Sequence, residues 1–138
     1  MTPSNDLETI VAIIREMAAS KSAERSVRHW AEDAVWFDIP PFASKGVKAA
    51  SAFFQKQFAS VVSLNVEILE IIPFVKADMA CVVSAQKMTA RLKGDSAAKA
   101  FVFRQTDCFE KRNGEWKLVH EHLSLPQGGD WDGQFATE

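Results

Sequence analysis

Two histidines, an aspartate and a glutamine lie where a single tight turn would gather them. The stretch KAFVFRQTDCFEKRNGEWKLVHEHLSLP covers residues 99–126. Its Asn113-Gly114 pair is a strong hairpin signal, because both central residues of a type I′ turn need positive φ. A two-residue loop pairs Arg112 with Glu115. Counting outward then sets Phe109 against Leu118, Asp107 against His120, Gln105 against His122 and Phe103 against Ser124. Opposed residues of an antiparallel pair share one side of the sheet. One face is therefore expected to carry Asp107, His120, His122 and Gln105 among Phe101, Phe103, Phe109 and Trp116. A carboxyl group and an imidazole on an aromatic wall suit proton transfer to an apolar compound in a pocket. The reading depends on phase, since a slip of one residue turns the whole set to the other side.

Other chemistries find less support. His120 and His122 at i, i+2 could both ligate from one face, but no further Cys/His cluster completes a closed tetrahedral site, and no metal is expected. There is no Gly-rich phosphate loop, no Gly-x-Ser-x-Gly and no Cys/His nucleophile pair, so no cofactor is expected either. Cys81 and Cys108 read as reduced strand residues.

Elements that could hold such a pocket follow from periodicity. Residues 6–20 place Leu7, Ile10, Val11, Ile14, Met17 and Ala18 at helical spacing. A second helix is expected over 22–32, capped by Ser22, and a third over 47–59 through Val47, Ala50, Phe54 and Phe58. Between them 34–38 reads as a short strand ending at Asp38, stopped by Pro40-Pro41. From residue 61 onward the runs 62–74, 79–92, 99–112 and 115–126 are rich in Val, Ile, Phe and Thr. Turn residues break them at 76–78, 94–96 and 113–114, which describes an antiparallel meander. The glycine-rich segment 127–138 reads as a flexible tail, with Trp131 and Phe135 as anchors. Helices followed by an antiparallel sheet make the class α+β in one domain, 1–138.

Composition agrees with a globular chain and excludes two partners. The chain has 138 residues, 47% hydrophobic and 25% charged, with a net charge of −2, which leaves no basic footprint for nucleic acid. No apolar stretch approaches the ~20 residues of a membrane span. MTPSNDLETI lacks a basic region followed by an apolar run, so no signal peptide is read and a cytoplasmic location is expected.

The pattern helix, helix, EDAVWFDIPPF, Gly, helix, followed by FRQTD and NGEWKLVHEHLSLP, resembles the nuclear transport factor two-like superfamily, in its SnoaL-like or ketosteroid-isomerase-like branch. The resemblance spans residues 6–126. It implies a cystatin-like cone in which a curved antiparallel sheet wraps three N-terminal helices around an apolar cavity. It also implies roles: Asp38 matches the general base of steroid isomerases at the end of the first strand, and Asp107 matches their second, protonated aspartate. Their tyrosine in the first helix has no counterpart, for the chain contains no Tyr. Asp107 beside His120 resembles instead the Asp–His arrangement of polyketide cyclases.

The expected function is a cofactor-independent isomerase or cyclase taking a proton α to a carbonyl, or else a non-catalytic protein binding a small apolar ligand. Asp38, Asp107 and His120 are the expected catalytic residues. Trp36, Phe54, Phe103, Gln105 and His122 are the expected ligand contacts. An outer sheet face bearing Val102, Cys108, Val119 and Leu123 is too apolar for solvent, so a homodimer through that face is expected.

Overall fold

The structure, a computed structural model, describes residues 3–39 and 44–126. The expected tail at 127–138 and the Pro40-Pro41 stop lie outside the described residues. The elements run α1 (Pro3–Ala19), α2 (Ala23–Ser26), β1 (Trp30–Phe37), β2 (Ser44–Lys45), α3 (Val47–Ser60), β3 (Val61–Lys76), β4 (Met79–Leu92), β5 (Lys99–Arg112) and β6 (Glu115–Ser124). Six strands form one sheet in the order β2-β1-β6-β5-β4-β3, the α+β architecture expected.

Two expectations need correction. The second helix is a single turn, capped by Ser22 accepting the Arg25 N–H, and the chain is extended from Trp30 onward. The helix expected over 22–32 ran into an aromatic strand whose pairing with β6 overrides helical spacing there. The sheet is also mixed, because β1 runs parallel to β6. Their connection passes through the whole meander, so no hairpin forces them antiparallel.

Helices α1 and α3 cover the inner side of the sheet. Ile10, Ile14, Trp30, Trp36, Phe109 and Leu118 form the centre of the core, each at most 5% exposed. The start of α1 is pinned by Asp6, whose Oδ1 accepts from Lys111 Nζ at 3.0 Å and from Trp116 Nε1 at 3.1 Å. The Lys111 bond, more than any other cause, holds the Asp6 carboxyl below its usual range. Near the other end, Glu16 contacts His29 at 2.7 Å and accepts from Arg28 at 3.1 Å. With one end of the inner side closed by core, the remaining space opens between α1, α3 and the far parts of β3–β6. Among the described residues, no helix is long and apolar enough to cross a membrane.

Candidate functional site

The hairpin that organises the site begins as its sequence dictates. Asn113 and Gly114 take φ of 52° and 80°, as the two-residue turn requires. The pairs Arg112–Glu115 and Phe109–Leu118 form as counted. Then the ladder shifts. Cys108 faces His120, Asp107 faces Glu121, Thr106 faces His122 and Gln105 faces Leu123, so Val119 is an extra residue, a β-bulge in β6. Beyond it every side chain has changed sides.

The consequence is a different set of inward groups. His120 and His122 lie on the outer face around Phe37, with ring centroids 5.1 Å and 5.4 Å from it. The His120 Nδ1–H donates to the Val35 carbonyl at 2.7 Å. Neither histidine faces the cavity, which overturns His120 as a catalytic residue and His122 as a ligand contact. Glu121 takes the inward position instead and is 4% exposed. Leu123 likewise points inward, not to the outer face expected for it, and lines the cavity.

Asp107 and Glu121 form a buried carboxyl pair. The Gln105 side chain bridges them: its Nε2 donates to Asp107 Oδ2 at 2.8 Å and to Glu121 Oε2 at 3.3 Å. Asp107 is fully buried, and burial pushes its carboxyl up to about 6. Glu121 is held well above the usual carboxylate range by burial first and by the Asp107 charge second. Two carboxylates in one desolvated place cannot both ionise, so the pair keeps a proton near neutral pH. Glu121 is the member pushed upward by its neighbours, since the Asp107 and Asp38 charges both raise it. Asp107 Oδ1 has no hydrogen-bond partner among the described residues.

Around this pair lies a cavity of about 500 Å³. Phe53, Phe54, Phe58, Val66, Met88 and Phe103 give it apolar walls. Its polar groups include Glu121, Gln105, Gln86 and Asp38, while Asp107 sits behind them. Gln86 on β4 is 3% exposed and donates to Ser84 Oγ at 2.9 Å. Asp38 follows the end of β1, where its Oδ1 accepts the Ile39 N–H at 2.7 Å. Burial raises the Asp38 carboxyl against that bond, and its charge is one of the forces that keep Glu121 protonated.

Of the residues singled out from the sequence, Asp38, Phe54, Phe103 and Gln105 line the cavity. Trp36 does not. It is 1% exposed, packed against Phe53 and Phe54 behind the wall, and its Nε1 has no hydrogen-bond partner among the described residues. Glu121, Gln86 and Ser84 escaped the sequence reading. A signal for Glu121 existed in the spacing of Leu118 and Leu123: two inward apolar residues five apart on one strand require a change of phase. Among the described residues, no group of three or more His, Cys, Asp or Glu is disposed to hold a metal ion.

The model of the SnoaL-like domain matches residues 7–128. This chain belongs to the SnoaL-like family. Solved structures of similar fold include a nuclear transport factor 2 (NTF2-like) superfamily protein from Salmonella enterica. It has 15% identity and a TM-score of 0.85, over 97% of this chain and 100% of that one. A Novosphingobium aromaticivorans protein provisionally described as a scytalone dehydratase has 19% identity and a TM-score of 0.79, over 99% and 95%. A ketosteroid isomerase-like protein from Erwinia carotovora has 19% identity and a TM-score of 0.75, over 89% and 98%. No curated protein matches the chain.

Proposed function

We propose that this SnoaL-like protein is a cofactor-independent acid–base enzyme acting on a neutral, apolar carbonyl compound. Asp38, at the cavity wall and partly desolvated, takes a proton from the carbon next to the carbonyl. Glu121, kept protonated by burial and by the Asp107 charge, donates a hydrogen bond to the developing enolate oxygen, and Asp38 delivers the proton it took back to carbon. Gln105 holds both carboxyl groups in place, and Asp107 is a positioning residue with no access to substrate. Isomerisation, cyclisation and loss of water all share this first step, and the names of the fold relatives include an isomerase-like protein and a dehydratase.

The observation that carries the reading is a buried acid pair, bridged by one amide, at the floor of an apolar cavity. Carboxyl groups raised to different extents in one site can supply an acid and a base at the same pH. The test is turnover of β,γ-unsaturated ketones and polyketide-like esters by the wild type, Asp38→Asn and Glu121→Gln. Loss of kcat in both variants with ligand binding retained supports the proposal. A wild type that binds such compounds without converting any of them supports the second reading, a non-catalytic carrier of apolar ligands, which the absence of tyrosine favours.

A further inference from the structure

Cys81 on β4 and Cys108 on β5 are directly opposed, on the sheet face turned away from the carboxyl pair. Their place in the ladder can be read from one bond. The Lys111 N–H donates to the Asp78 carbonyl at 2.8 Å, which makes 78/111 a hydrogen-bonded position. No register shift interrupts the pairs from Met79–Glu110 to Ala90–Lys99. Hydrogen-bonded and non-hydrogen-bonded positions alternate, so Cys81/Cys108, three steps on, is a non-hydrogen-bonded one. Such positions bring opposed Cα atoms to about 4.5 Å with the side chains converging. The range a disulfide accepts is about 4.4–6.8 Å. Both thiols are half-buried, and the nearness of Cys81 adds to the burial that raises the Cys108 thiol.

We infer that Cys81 and Cys108 form a reversible cross-strand disulfide when the protein meets a peroxide. The Cys81 thiolate attacks one peroxide oxygen; the O–O bond breaks, and the leaving hydroxide takes up the thiol's released proton to become water. Cys81 is now a sulfenic acid. The Cys108 sulfur attacks the Cys81 sulfur, the S–O bond breaks, and the departing hydroxyl carries off the Cys108 proton as a second water. Two thiols are oxidised and one peroxide is reduced. Burial keeps the Cys108 thiolate scarce, which assigns the first attack to Cys81. Both sulfurs are only half-buried, so a thiol reductant from solvent can reach the bridge and reverse it. Cys108 follows Asp107 and pairs with His120 beside the bulge, so the bridge would tie β4 to β5 directly behind the acid pair without entering the cavity.

The experiment treats the whole chain with excess hydrogen peroxide, quenches it, and reads intact mass and a non-reducing peptide map. The expected result is loss of two hydrogens and one peptide joining Cys81 to Cys108, both reversed by dithiothreitol. In Cys108→Ser, dimedone should trap a sulfenic acid at Cys81, with circular dichroism confirming the fold. Both thiols remaining fully alkylatable after denaturation would overturn the inference. So would sulfinic acids without a bridge, or a bridge between two chains.

Discussion

Strands β5 and β6 present two faces made from interleaved residues, and the faces treat polar groups in opposite ways. On the inner face Gln105, Asp107 and Glu121 are at most 8% exposed and bonded to one another. On the outer face Thr106, Cys108, His120 and His122 stand among Phe37 and Phe74, which are 36% and 58% exposed. Outer-face groups can exchange their partners for water. Inner-face groups cannot, and their proton affinities shift accordingly. Chemistry that needs a displaced pKa belongs on the inner face, while the outer face is left for association and for reagents arriving from solvent.

Substitution on the two faces should separate them by orders of magnitude in turnover. Asp38→Asn keeps shape and an acceptor oxygen but cannot take a proton, so a drop in kcat of ~10²–10⁴-fold is expected. Glu121→Gln should fall comparably, whereas His120→Gln should stay within a few-fold of wild type. A large loss in His120→Gln would refute the assignment of faces.

Stability gives the next contrast. Gln105→Leu removes the amide shared by two buried carboxyl groups and should cost about 1.5–3 kcal/mol, as bonds to charged groups do. Exposed His122→Gln should remain within ~0.5 kcal/mol. Urea titration of both variants measures the difference.

The proton held by the pair should also appear in the pH dependence. Asp107 ionises near 6 when folded against 3.8 for the free group, so between these values the native state binds more protons than the unfolded one. Its contribution is therefore greatest below about pH 4 and is lost as pH rises through 6, with Glu121 extending the loss upward. Asp6 and Glu16, both lowered, act in the reverse sense at more acidic pH. The double variant Asp107→Asn, Glu121→Gln should remove most of the decline between pH 4 and 7 and leave the part due to Asp38, which burial also raises. An unchanged profile would place the proton elsewhere.

The smallest effect expected concerns association. Ile72, Phe74 and Val102 are exposed on the outer face, and dimerisation through that face is expected. Phe74→Glu should shift the light-scattering mass of a 15.3 kDa chain toward the monomer and leave turnover unchanged. A dimer untouched by that charge would use another surface.

Much of this was legible in the residues. The φ demand of Asn113-Gly114 fixed the turn and the first pairs of the hairpin, while Asp38, marked by the family resemblance and not by a local pattern, lines the cavity. What failed did so for want of a local signal. The bulge at Val119 lies where β6 also pairs with β1, whose register shifts between Trp30 and Val35, and no turn residue announces it. The same long-range pairing drew Trp30 out of an apparent helix into a strand. Even so, the outer face counted from an unbroken ladder was too apolar, and Leu123 was the residue out of place.

In genetic terms, the bulge makes the cavity floor a matter of counting codons. Removing the Val119 triplet would straighten the ladder and leave Glu121 opposite Asp107. Duplicating the His120 triplet, with the bulge kept, would set an imidazole opposite Asp107 and turn Glu121 outward. A change of three bases, with no existing residue replaced, thus separates an acid pair from an aspartate–histidine pair. An alignment that places its gap two positions away would assign the wrong chemistry to the same letters.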